Sequence, residues 1–130
     1  MIYVDTSVAL AHLLAEDRRP RDSLWHESLV SSRLLQYEVW TRINARKLGR
    51  SHGDDARNLL QRIAFIELVP PVLGRALDPF PGGASIRTLD ALHLASLDFL
   101  RSLDSDIELA SYDQRLVKVA RKLGFTIYRL

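Results

Sequence analysis

The chain has 130 residues, no cysteine, 47% hydrophobic residues and a formal charge of +2 at neutral pH. Those figures fit one globular domain with a substantial core, and they exclude a disordered chain, a disulfide scaffold and a thiolate metal site. No run of about 18 apolar residues and no charged-then-apolar leader is present, so the expectation is a cytosolic protein without a membrane span. The sequence pI near 9.2 is by itself a weak pointer to nucleic acid.

Ile2-Tyr3-Val4 is a continuous run of β-prone residues, the pattern of a strand covered on both faces. Asp5-Thr6-Ser7 follows at once, and Val8, Leu10, Ala11, Leu13 and Leu14 then mark the apolar side of a helix ending near Ala15. A carboxylate is thereby delivered to the carboxyl end of a strand, the edge where open α/β sheets bind their ligands. The plainer reading is that Asp5 or Thr6 only caps the helix. Glu16 to Arg21 reads as a polar, proline-containing turn. A second short helix is expected to carry Leu24, Trp25 and Leu29, and Ser28 to Ser32 offers a brief strand.

Arg33 to Leu48 reads as a helix in which Leu35, Val39, Trp40 and Ile43 recur at three- and four-residue intervals, with Gly49 in the place of a C-terminal cap. Glu38 lies in this helix, and its plain partner is Arg42 one turn on. Ser51 to Ala64 is predicted as a further helix with Asp54 and Asp55 in its first turn, where they would answer the helix dipole. Phe65 to Val69 reads as a strand, Pro70-Pro71 as the start of a short helix, and Leu77 to Ser85 as loop.

The next helix is predicted from Thr88, as N-cap, to about Leu103, apolar nearly all round and so buried against the sheet. Asp90 falls in its first turn, where the plain reading is an acid answering the helix dipole, and His93, three residues later, could reach the same region but reads more simply as a packed histidine near the core. Ile107 to Ser111 is a strand, Tyr112 to Arg115 turns into a helix that Gly124 ends, and Phe125 to Tyr128 makes a last strand. Asp113, like Asp5, follows a strand directly and has the same plain reading as a cap. Helical crossovers favour parallel pairing. The expected fold is therefore α/β, a three-layer α/β/α sandwich with a mainly parallel sheet of about five strands, in one domain over residues 1–130.

In such a sheet Asp5 and Asp113 share one edge, Asp90 begins a helix, and Glu38 projects from a helix lining that edge. Four converging carboxylates would repel one another unless a cation neutralised them. Oxygen ligands without cysteine or a histidine pair suit Mg²⁺ or Mn²⁺, ions that support in-line displacement at phosphate. Thr6, Ser7 and Ser111 offer hydroxyls to orient ligands or waters, and Arg42, Arg46 and Lys47, or Arg115 and Lys118, could line a path for nucleic acid or form only a solvated charged face.

Val4-Asp5-Thr6-Ser7, Glu38 on a mid-chain helix, Leu89-Asp90-Ala91-Leu92-His93-Leu94-Ala95 and Ser111-Tyr112-Asp113-Gln114-Arg115-Leu116 together resemble the signature of PIN-domain nucleases. The small size, with no attached domain, is similar to VapC-type toxins of bacterial toxin–antitoxin pairs. The resemblance spans essentially the whole chain. It implies a divalent-metal endoribonuclease with an acidic site formed by Asp5, Glu38, Asp90 and Asp113, a homodimer, and a cognate antitoxin that occupies the site. Asp5 and Asp90 would be the main metal anchors, with Glu38 and Asp113 completing the shell directly or through water. Ser111 stands where the family often has threonine, and Arg87-Thr88 replaces a more usual glycine-containing lead-in. Trp25 and Trp40 are candidates for the dimer surface.

Three other classes fit less well. A phosphoacceptor receiver domain needs a lysine at the end of a later strand, whereas Lys47, Lys118 and Lys122 all fall in predicted helices. A haloacid-dehalogenase-type phosphatase commonly has a second acid two residues after the first, where this chain has Ser7. The serious rival is a non-catalytic module of the same fold that binds RNA or a protein partner, and four acids argue against it because RNA binding alone gains nothing from concentrated negative charge.

Overall fold

Successive residues of a strand point to opposite faces, and here both faces are covered. The computed structural model describes residues 1–81 and 86–130; Gly82 to Ser85 of the expected loop lie outside the described residues. The elements are β1 (Ile2–Val4), α1 (Thr6–Leu13), a 3₁₀ turn (Asp22–His26), β2 (Leu29–Ser32), α2 (Arg33–Ala45) and α3 (Gly49–Leu60). They continue as β3 (Ile63–Ile66), α4 (Pro70–Leu77), α5 (Thr88–Arg101), β4 (Glu108–Ala110), α6 (Gln114–Lys122) and β5 (Thr126–Ile127). All four strand pairings are parallel, in the order β3-β2-β1-β4-β5. Ile2 is registered with Leu29 on one side and Glu108 on the other.

Ile2, Val4, Leu29 and Ala110 face a core filled by Val8 of α1, Leu35, Val39 and Ile43 of α2, and Leu59 and Leu60 of α3. Tyr3, Val30 and Leu109 face the other way, onto Leu94, Leu97 and Leu100 of α5 and Leu116 and Val119 of α6. The three layers of the expected sandwich are therefore present. The chain builds β2 and β3 on one side of β1, then crosses to β4 and β5 on the other. After β1 the chain turns into a helix on the first face, after β4 into one on the second. The carboxyl ends of β1 and β4 consequently flank a crevice, the switch point at which open α/β sheets hold ligands.

Several boundaries differ from expectation for identifiable reasons. Gly49 does not end α2: the cap is Arg46, Lys47 takes the left-handed conformation at φ 57°, and Gly49 is the first residue of α3. Because α3 starts there, Asp54 and Asp55 sit beyond its first turn, and Asp54 pairs with Arg57. The same helix stops at Leu60, and Ile63 and Ala64 belong to β3, since Ile63 pairs with Leu29. Leu29 lies in β2, outside the 3₁₀ turn. Leu77 is the last residue of α4 instead of loop. Thr88 is the first residue of α5 rather than its cap, Arg87 holds the cap position without a side-chain bond, and the helix ends at Arg101. Trp25 is buried in the core and the Arg57 guanidinium lies over half-buried Trp40 at 5.3 Å, so neither ring is a free surface. Among the described residues no helix is long and apolar enough to cross a membrane.

The helices of the second face are tied by Asp98. It accepts hydrogen bonds from Arg75 Nε of α4 at 2.8 Å and from Arg101 Nη2 at 2.5 Å, while Arg101 Nη1 reaches the carbonyl of Leu123 beyond α6. Partial burial pushes the Asp98 carboxyl up, but the two guanidinium groups outweigh it and hold it below the usual carboxylate range. A depressed acid contributes stability above its unfolded-state value and loses it as pH falls through the folded one. Asp98→Asn is expected to lower stability at pH 7 and to flatten the loss of stability below about pH 4. Urea midpoints of both proteins at pH 7 and pH 3 check this.

Candidate active site

Asp5 leaves β1 with its backbone N–H bonded to the carbonyl of Ala110 in β4, 2.9 Å away, and its side chain caps α1. It is 6% exposed. A buried carboxylate must be satisfied by donors, and three converge on Oδ2: Ser7 Oγ at 2.6 Å, Ser111 Oγ at 2.9 Å and Ser7 N at 3.3 Å. The serines also accept. Ser7 Oγ takes the N–H of Tyr112 and Ser111 Oγ that of Asp113. The turn after β1 and the turn after β4 are thus stitched together through one carboxylate oxygen.

Asp113 caps α6, Oδ1 accepting the N–H groups of Arg115 and Leu116 at 2.9 and 3.3 Å. The capping readings of Asp5 and Asp113 are therefore correct as local structure, and the same caps set both carboxylates beside the crevice. Asp90, in the first turn of α5, makes no side-chain hydrogen bond among the described residues. Burial, then the charges of Asp113 and Asp5, push its carboxyl above the usual range, against a smaller opposing effect of His93 and Arg87. Asp5, Asp90 and Asp113 therefore lie close enough to feel one another.

Glu38 is held differently from expectation. Instead of pairing with Arg42, its Oε1 accepts from Thr6 Oγ1 at 2.9 Å and meets His93 Nε2 at 2.6 Å. His93 is 2% exposed, as a packed histidine would be, yet both ring nitrogens are engaged: Nδ1 lies 2.7 Å from the hydroxyl of fully buried Tyr3. That hydroxyl in turn accepts the N–H of Ser32, the cap of α2. Burial disfavours the imidazolium, but the bond to Glu38 and the charges of Asp5, Glu38 and Asp90 outweigh it and raise the His93 pKa. Two signals for this network exist in the sequence. Tyr3 is a polar-tipped ring in a strand buried on both faces, which requires a partner, and His93 follows Asp90 by three residues, on the same side of α5.

The model of the PIN domain family matches residues 2–122. The chain belongs to the PIN-domain family. This PIN domain is 32% identical over 133 residues to "Ribonuclease VapC47" of Mycobacterium tuberculosis (strain CDC 1551 / Oshkosh), an alignment covering 96% of the chain and 93% of that relative. No solved structure matches it.

The donor chemistry of the PIN-domain crevice suits a hard divalent cation. Burial and the charges of Asp113 and Asp5 push the Asp90 carboxyl up, and a cation beside it would offset that. Among the described residues, no three or more His, Cys, Asp or Glu side chains are drawn together closely enough to hold an ion as they stand. Of the basic residues, Arg115 lines a small crevice with Asp90, whereas Arg42, Arg46 and Lys47 are exposed toward the far end of α2.

Asp5→Ala would leave the Ser7 and Ser111 donors without an acceptor and is expected to cost at least about 1–3 kcal/mol. Asp5→Asn keeps an acceptor oxygen and removes a repelling charge, so in metal-free buffer it should melt no lower than wild type. Urea and thermal unfolding in EDTA compare the three proteins. A clear loss in the Asn variant would assign the Asp5 charge to helix capping instead of to a carboxylate cluster.

Proposed function

We propose that this PIN domain, a single nuclease domain over residues 1–130, is a divalent-metal-dependent endoribonuclease and the toxin of a toxin–antitoxin pair. Its site residues are Asp5, Glu38, Asp90 and Asp113. The observation that carries this reading is the placement of Asp5 after β1 and Asp113 after β4 at the switch point of the sheet, with the Asp90 carboxyl pushed up by burial and by the charges of both. Family membership and the likeness to a protein named as a ribonuclease support the same reaction.

Asp5 and Asp90 would anchor Mg²⁺ or Mn²⁺, with Glu38 and Asp113 completing the shell directly or through water. Such an ion would acidify the attacking water and offset the charge that builds on the phosphate. The protein's own part is positional. Ser7 and Ser111 fix the rotamer of Asp5, and the α6 cap that of Asp113. Glu38 or Asp113 orients the attacking water for in-line displacement. Arg115, beside Asp90, is the better placed of the candidate basic residues to meet a phosphate of the RNA. Single-stranded loops are the favoured substrate because their bases are already unstacked. The protein would act in the cytoplasm as a homodimer, restrained by a cognate antitoxin over the acidic site.

Purified protein with Mn²⁺ is expected to cut total cellular RNA into discrete fragments, and EDTA or Asp5→Asn to abolish them. Mn²⁺ is also expected to raise the melting temperature by mass action. Absence of both cleavage and the melting shift would leave a non-catalytic RNA- or protein-binding module. A melting shift without cleavage would keep the metal site and point to a missing substrate or a retained antitoxin.

A further inference from the structure

The sequence reads His93 as a packed histidine that could reach the region of Asp90, and nothing in the four-carboxylate reading uses it. Its surroundings give it one. Nε2 lies 2.6 Å from Glu38 Oε1, and Nδ1 lies 2.7 Å from the Tyr3 hydroxyl, which also accepts the Ser32 N–H at 3.3 Å. A bare Nε2 lone pair against a carboxylate oxygen at that distance would be repulsive. Nε2 therefore carries a proton and donates it, whether the ring is neutral or charged. The Tyr3 hydroxyl suits either form, because it can donate to a bare Nδ1 or accept from a protonated one.

The line Ser32 N–H, Tyr3, His93, Glu38 runs between the cap of α2 and a side chain in the second turn of the same helix, through β1 and α5. Tyr3 is fully buried and His93 nearly so, hence neither ring can turn without breaking bonds in a dry core. Thr6 Oγ1 donates to the same Oε1 from the first turn of α1. Every described side-chain hydrogen bond to Glu38 thus ends on Oε1, and Oε2 takes no part in the relay. From this geometry we infer that His93 is a positioning residue for Glu38: it holds Oε1 and presents Oε2 to the cation side of the crevice. The inference rests on the metal-site reading above. Outer partners that orient a ligating carboxylate commonly change metal affinity by 10–100-fold when lost.

Two substitutions separate this role from packing. In a glutamine the amide nitrogen sits about where histidine Nε2 does, and in an asparagine about where Nδ1 does. His93→Gln retains a donor toward Glu38, and His93→Asn retains one only toward Tyr3. Mn²⁺ binding by calorimetry is expected to be near wild type in His93→Gln and weaker by about 10–100-fold in His93→Asn. If the two variants lose affinity equally, or the folded Asn variant loses none, His93 does not position Glu38. Should the Asn variant not fold, the wild-type protein still decides the matter through its imidazole ¹⁵N spectrum. His93 should show a protonated Nε2 whose resonance moves on saturation with diamagnetic Mg²⁺, and a bare Nε2 or an unmoved resonance overturns the assignment. Failure of the wild type to bind Mn²⁺ at all sinks the carboxylate-site reading, and the positioning role with it. Binding by wild type with identical variants sinks only the latter.

Discussion

Everything at the carboxyl edge of the sheet depends on one buried oxygen. Asp5 Oδ2 collects three donors, and the serines that supply them accept the backbone N–H groups of Tyr112 and Asp113. A carboxylate out of water needs such partners, so burying Asp5 compels the turn after β4 to sit against the turn after β1. Two helix starts and two acids are thereby set by a single constraint. The parallel pairing of β1 with β4 supplies the scaffold, and the hydroxyls supply the register of the side chains.

The four acids are held in different ways, and the difference has chemical meaning. Asp5 and Asp113 are tied down by caps. Glu38 is tied by a buried aromatic relay reaching across the sheet. Asp90 has no described donor and absorbs the repulsion of its neighbours. Acids held by caps and by the relay beside one whose carboxyl is pushed up favour a nearby positive charge, from a cation or a cationic side chain, over an apolar ligand.

How much of this could be read from the sequence follows the range of the interactions. The strand–acid–helix units at Asp5 and Asp113 are local, and apolar runs with adjacent caps reveal them. Boundaries failed where local signals were ambiguous. Gly49 has the look of a helix stop, yet Lys47 took the left-handed turn and left the glycine to open α3. Ile63 continues the apolar spacing of α3, but pairing with Leu29 draws it into β3, and a short apolar run does not distinguish the two. Glu38 shows the limit most clearly. Its neighbour Arg42 lies one turn away in sequence, while its actual partner His93 is 55 residues on and reaches it only once α5 packs on the sheet.

The strand order also governs when the crevice can exist. β1 is the first strand made and the central one in the finished sheet, and β4 closes its second edge. Chains emerge from the ribosome at about 5–20 residues per second, so for several seconds β1 has one unpaired edge. By the end of that interval Asp5, Glu38 and Asp90 are synthesised, but Ser111 is not, and Asp5 lacks the donor that joins it to the last acid. An unfinished chain therefore carries most of the acids without the arrangement that would let them work together. Assembly of the crevice is coupled to the arrival of β4 and α6, a timing that comes from topology alone.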